Sequence, residues 1–205
     1  MAKSPDSLLD FSQPLDVPLL DAVVNAFYGA GSNEERVAAE KLLRQLQEHP
    51  DMWQRVDQIL EASSSQSTKF LALQILESVI KYRWLTLPAE QRDGIKNYIS
   101  NLIIKLSSDE AVYRREHAFL SKLNVVLVEV LKHEWPGRWE SFLPDLVGAA
   151  KTSEILCENC MNILKLLSEE IFDFSRGEMT QNKIKELKAS LNQQFQLVHG
   201  LCEYV

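Results

Sequence analysis

The sequence predicts an all-α chain built as an α-solenoid of helical hairpins. Three observations carry this. Nine consecutive segments show apolar residues at spacings of three and four, and none shows the alternation of a strand. Start and stop signals separate them, and the hairpins they form begin near residues 17, 50, 88, 136 and 180, at intervals of 33, 38, 48 and 44. Intervals of that size, with helix–turn–helix content, belong to stacked repeats. Finally, the stretch Thr68–Trp84 has two apolar rows. Phe70, Leu73, Leu76, Ile80 and Trp84 form one, and Leu71, Ala72, Ile75 and Val79 the other. A helix on the outside of a simple bundle needs one stripe. Two rows require packing on two sides, with only Lys69, Gln74, Glu77 (or Ser78) and Lys81 left as a thin polar strip.

The chain has 205 residues, 45% hydrophobic and 25% charged, a globular composition. Its formal net charge is −7, which argues against direct nucleic-acid binding and suits a basic protein partner. Three cysteines do not make a disulfide framework, the first residues lack the apolar core of a signal peptide, and no apolar run reaches the roughly 18 residues of a membrane span. A reducing compartment and no membrane insertion are expected.

In order, residues 1–15 read as a poorly ordered lead-in whose Leu8, Leu9, Phe11 and Leu15 can dock on the first helix, with the repeats occupying 16–205. Asp16 caps the first helix, with Pro18 in its first turn. Ser32 and Glu35 form a capping box for the second. Pro50 stops that helix and opens the third. Thr68 or Ser67 caps the fourth, Pro88 starts the fifth, and Asp109 caps a long sixth whose later half is densely apolar. Trp135 and Pro136 break the chain. Pro144 should kink or divide the seventh helix. Thr152 or Ser153 caps the eighth and Thr180 opens the ninth, whose apolar positions run from Ile184 to Leu201. The pairing gives four hairpins plus the first helix of a fifth, in the manner of HEAT or armadillo repeats. The unpartnered ninth helix suggests a piece of a longer array, and its open face predicts self-association.

Chemistry is sparse. Cys157-Glu-Asn-Cys160 is a C-x-x-C, but zinc needs two more ligands, and Cys160 falls on an apolar helix face. His49, His117, His133 and His199 are scattered. Ser78-Val-Ile-Lys81 matches S-x-x-K in mid-helix without companion motifs, Glu169-Glu170 is a solvated acidic pair, and no Gly-rich phosphate loop is present. No catalytic residue, metal or cofactor is expected, and a helical enzyme domain is disfavoured. Trp53, Trp84, Trp135 and Trp139 all lie near helix ends, where they fill wedges between hairpins.

Certain runs carry a resemblance. Ala39, Leu42, Leu46, Pro50, Trp53, Leu73, Leu76, Ile80 and Trp84 resemble the importin-β N-terminal domain, over about residues 32–107. HPDMWQRVDQIL, LALQILESVIKYRW, GIKNYISNLIIKLSSD, LNVVLVEVLKHEWPGRW and TSEILCENCMNILKLLSEEIFDFSRGEMTQ resemble the nuclear export receptors of the karyopherin family, in the exportin-one branch that carries leucine-rich export signals. The similarity runs from about Leu9 onward. It implies HEAT repeats, shuttling between nucleus and cytoplasm through nuclear pores, and cooperative binding of cargo and the small GTPase Ran in its GTP form. It also implies that cargo and nucleoporins are held by parts beyond this chain. In this family the inner, second helices of the first repeats contribute a Ran-binding surface. Those helices would be Glu34–Gln47, Thr68–Trp84 and Glu110–Lys132. Their polar positions expected to be exposed are Gln45, Lys69, Gln74, Glu77, Lys81, Asn124 and Glu129. On this expectation Glu77 and Glu129 meet basic residues of Ran, and Gln74 and Asn124 hydrogen-bond its switch region. Another karyopherin (an import receptor or transfer-RNA exportin) and a general helical-repeat scaffold are the alternatives. The acidic balance disfavours the RNA case.

Overall fold

The structure is a computed structural model that describes residues 4–29, 31–172 and 179–194. It forms two compact units, Met1–Arg83 and Trp84–Val205. The fold is all-α and HEAT-like, with no strand among the described residues.

The first unit holds α1 (Val17–Tyr28), α2 (Asn33–Glu48), α3 (Val56–Ala62) and α4 (Gln66–Arg83). α1 pairs with α2 and α3 with α4, and the hairpins stack through α1 on α3 and α4. Asp16 caps α1, its carboxylate accepting the Leu19 N–H at 3.1 Å. The Ser32–Glu35 box is complete: Ser32 N–H donates to the Glu35 carboxylate at 2.8 Å, and Glu35 N–H to Ser32 Oγ at 3.2 Å. The third helix is shorter than expected. After Pro50 the chain makes a 3₁₀ turn over Met52–Arg55 before α3 begins. Ser65, rather than Ser67 or Thr68, opens α4, its Oγ accepting the Thr68 N–H.

The lead-in departs from its expectation of poor order. Pro5–Leu9 form a 3₁₀ turn packed on α1 and α2, with Leu8 and Leu15 buried. Arg55 holds the segment. Its guanidinium donates to the Phe11 and Gln13 carbonyls at 2.7 and 3.0 Å and lies over the Phe11 ring, which stacks on His49. An Arg head on two carbonyls and an aromatic face is a specific clamp. Its residues stand 42 and 44 positions from their partners, so local sequence does not announce it.

The second unit holds α5 (Ala89–Leu106), α6 (Glu110–Arg115), α7 (His117–Glu134), α8 (Phe142–Ala150), α9 (Glu154–Phe172) and α10 (Gln181–Gln193). α5 pairs with α7 and α8 with α9, α7 packs along α9, and α10 rests on α9. The expected long sixth helix is divided. Asp109 caps α6, accepting the Val112 N–H at 2.9 Å, and the chain bends at Glu116 before α7. Pro144 neither kinks nor divides its helix. It is the third residue of α8, within the first turn, where a missing N–H costs nothing. Ser153 caps α9 and Thr180 caps α10. The Trp135–Pro136 peptide is cis. Phe195, Val198, His199, Leu201 and Cys202 lie outside the described residues, as does Gly177.

Cores follow the apolar rows. On α4, Leu71, Ala72, Leu73, Ile75, Leu76, Val79 and Ile80 are all buried, so both rows are packed, on α3 and α1 within this unit. Trp84 and Trp135 are wholly buried, whereas Trp53 and Trp139 are half-buried.

Candidate functional site

The polar positions of the second helices divide into an exposed set and a buried set. α4 presents Gln74 as exposed and Glu77 and Lys81 as half-buried. The three recur at spacings of three and four, which puts them on one face. Ser78 and Tyr82 widen that face, Tyr82 being 81% exposed. Glu77 and Lys81 form an i,i+4 ion pair at 3.4 Å, with the acid N-terminal to the base, the orientation that suits the helix dipole. Lys69 is half-buried and stands roughly 140° around the helix from Gln74, off this face. Gln45 is exposed on α2, in a row with Lys41 and with Val37, which is 60% exposed. α4 thus presents an amide, an ion pair and a phenol on one face, and α2 presents its own row of amide, ammonium and one aliphatic side chain. Docking faces combine such groups.

Asn124 and Glu129 are corrections. Both were expected to be exposed on α7, and both are buried, at 2% and 4%. The cause is packing on two flanks. α7 pairs with α5 on one side and runs along α9 on the other, leaving little of it open. Asn124 spends its amide on Asn159 of α9, its Nδ2 donating to the Asn159 carbonyl oxygen at 2.8 Å. Glu129 pairs with Lys132 at 2.8 Å, and Lys132 reaches across to Glu170 of α9 at 3.2 Å. A buried amide or carboxylate must be satisfied internally, and here Asn124 finds its partner on the next hairpin and Glu129 finds Lys132 on its own helix.

A second buried network was not foreseen. Glu134, at the end of α7, has a side chain only 2% exposed. It accepts the Trp84 indole N–H at 2.8 Å and the Arg138 Nε–H at 2.9 Å. Lys96 lies at 3.3 Å and Arg92 at 3.6 Å. Burial alone pushes this carboxyl up. The hydrogen bonds from Trp84, Arg138 and Lys96 together outweigh it and hold the group below the usual carboxylate range. The pairing of Trp84 with an acid fifty residues later is the signal that could not be read in sequence.

Cys157 and Cys160 are free and buried. Burial, then the neighbouring Cys157, pushes the Cys160 thiol up to about 12. Among the described residues no group of three His, Cys, Asp or Glu could hold a metal ion, and no helix is long and apolar enough to cross a membrane.

Comparison with known proteins adds identity to this geometry. The family model "Importin-beta N-terminal domain" matches residues 39–105, and "Exportin 1-like protein" matches residues 116–205. Protein EXPORTIN 1A of Arabidopsis thaliana is 64% identical over 200 residues, which is 98% of this chain. The chain belongs to the exportin family. Exportin-1 of Drosophila melanogaster is 54% identical over 97% of the chain, and Exportin-1 of Dictyostelium discoideum 50% over 98%. The chain spans about a fifth of the length of these exportins, covering 19%, 18% and 19% of each.

Proposed function

We propose that this chain is the N-terminal part of a nuclear export receptor and that its own task is to help bind Ran–GTP. In the full-length receptor, leucine-rich export signals of cargo and the nucleoporins are met by repeats beyond this stretch. The receptor shuttles between nucleus and cytoplasm. It is a binding protein, not an enzyme, and needs no cofactor here, GTP hydrolysis belonging to Ran. Ran–GTP and cargo favour the same receptor conformation and so raise each other's affinity.

The observation that carries this reading is identity to exportins at 64% across 98% of the chain. An import receptor or a transfer-RNA exportin is disfavoured by that match and by the net charge of −7. Within the chain, the exposed face of α4 supports the contact. Gln74, Glu77 and Lys81 are the primary residues, Gln45 on α2 and Lys69 are secondary, and Asn124 and Glu129 act by holding α7 in place. The test is capture of the full-length receptor on Ran loaded with GTP or GDP. Selective capture by the GTP form is expected, and Gln74→Ala with Glu77→Ala should weaken it about tenfold, the loss of one or two polar interface contacts. Equal capture by both nucleotide forms refutes the function. Unchanged affinity in a folded double variant refutes the assignment of the face.

A further inference from the structure

The polar groups of the α4 face have limited affinity to give. Glu77 and Lys81 are half-buried and already paired at 3.4 Å, so a partner that engages either must first part them. Gln74 exchanges hydrogen bonds to water for hydrogen bonds to protein, a small net gain. The largest unspent surface on the face belongs to Tyr82. Among the described residues of the first unit, Tyr28, Val37 and Tyr82 are the large hydrophobic side chains left in water, and Tyr82, at 81%, is the most open of them.

A lone exposed aromatic is ordinary on a protein surface. The setting of this one is not. Gln74, Ser78 and Tyr82 recur every fourth residue and are all exposed, so they form one row roughly 12 Å long. The backbone beneath the row is held firmly, because Ile75, Leu76, Val79 and Ile80, interleaved with it, are buried. Arg83 donates to the Pro50 carbonyl at 2.9 Å and so ties down the last turn of α4, on which the Tyr82 ring stands. A tyrosine on a fixed helix offers broad contact area at little cost in side-chain freedom. The importin-β N-terminal match, over residues 39–105, takes in the whole of α4.

We propose, resting on the assignment of this face to Ran, that Tyr82 is its anchor. The ring enters an apolar slot on Ran–GTP, and the hydroxyl meets a polar group at the rim of that slot. Tyrosine is enriched among the few residues that dominate interface energies, having an apolar body with a polar tip. The face then divides its work. Burial of the ring governs how long the complex lasts, whereas Glu77 and Lys81, being charged, govern approach and its dependence on salt. A search confined to polar positions passes over Tyr82, although its exposure makes it the largest contact the helix can add.

The test uses the full-length receptor and Ran–GTP, with association and dissociation rates measured by surface plasmon resonance at low and high salt. Tyr82→Ala should weaken binding about thirtyfold, as at an interface hot spot. Nearly all of the loss should lie in faster dissociation, with the salt dependence of the native receptor. Tyr82→Phe keeps the ring and should lose only about threefold, the share of one neutral hydrogen bond. Glu77→Gln should change the salt dependence of association instead. Tyr82→Ala should leave the urea midpoint where it was, because its ring stands in water. A native receptor that captures Ran–GTP no better than Ran–GDP overturns both the Ran assignment and the anchor. Selective native capture with Tyr82→Ala within about threefold of native overturns the anchor alone. So does a loss from Tyr82→Phe as large as that from Tyr82→Ala, or a loss that tracks a fallen urea midpoint.

Discussion

Replacing Glu134 by Ala should destabilise the second unit by about 3–5 kcal/mol, the cost of removing one partner from a buried ion network. The carboxylate is 2% exposed and takes bonds from Trp84 and Arg138 while compensating Lys96 and Arg92, whose side chains are 12% and 18% exposed. Lys96 retains Asp93 at 2.6 Å, but Asp93 is 61% exposed and offsets little of the loss. The Trp84 indole N–H is left buried without its acceptor. Glu134→Gln keeps the shape and one acceptor oxygen but loses the charge, so it should cost less, about 1.5–3 kcal/mol. Urea denaturation followed by far-UV circular dichroism measures both. The pH dependence supplies an internal control. Because the folded carboxyl lies below its unfolded value, its stabilisation is present above the unfolded value of about 4.3 and fades as pH falls through the folded one. The gap between the native chain and the Gln variant should therefore be largest near neutrality and shrink in acid. A cost for Glu134→Ala within about 0.5 kcal/mol of zero, the range of ordinary surface changes, would refute the reasoning, as would a gap that grows as the pH is lowered.

Asn124→Ala should cost about 1–3 kcal/mol by leaving the Asn159 amide buried and unpaired, whereas Asn124→Leu combined with Asn159→Leu should cost less than the sum of the two single changes; a double-mutant cycle read by urea midpoints checks this, and strict additivity counts against the pairing. Cys160 should resist iodoacetamide at pH 8 in the native state, because burial holds its thiol at about 12, and should react once urea unfolds the chain; site-resolved mass spectrometry decides, and rapid native labelling contradicts the packing.

What could be read in sequence was what local physics encodes. Caps at Asp16, Ser32, Asp109 and Thr180 formed where expected, because each depends on residues within three positions. The double apolar rows of α4 were visible because helical period alone assigns them. Several misplaced features were decided at long range. Asn124 looked exposed because polarity in a helix usually means solvent, but its partner is 35 residues away on α9. Its setting held a warning. Val125 to Val128 and Val130 to Leu131 are apolar almost without break, so α7 has no polar face on which an exposed Asn or Glu could sit. The lead-in looked loose because its clamp, Arg55, comes from the next hairpin. Pro144 was read as a kink because nothing local placed the start of α8 at Phe142.

The burial of polar groups on α7 changes where recognition can reside. On α4 Gln74 faces outward, so it can be changed with little effect on packing, while Glu77 and Lys81 beside it are half-buried and paired with each other. On α7 the same residue types join it to α9, through Asn124–Asn159 near one end and Lys132–Glu170 near the other. Two polar rungs between parallel neighbours fix register more sharply than apolar contact, since a slip of one residue would leave the buried Asn124 and Asn159 amides unpaired and part Lys132 from Glu170. The polar residues of the two second helices therefore sit in different settings although their sequences look alike. A variant at Gln74 should alter binding and spare stability. A variant at Asn124 should alter stability first, and any effect it has on a partner should scale with the loss of fold. Measuring both quantities for both positions separates a contact from a support.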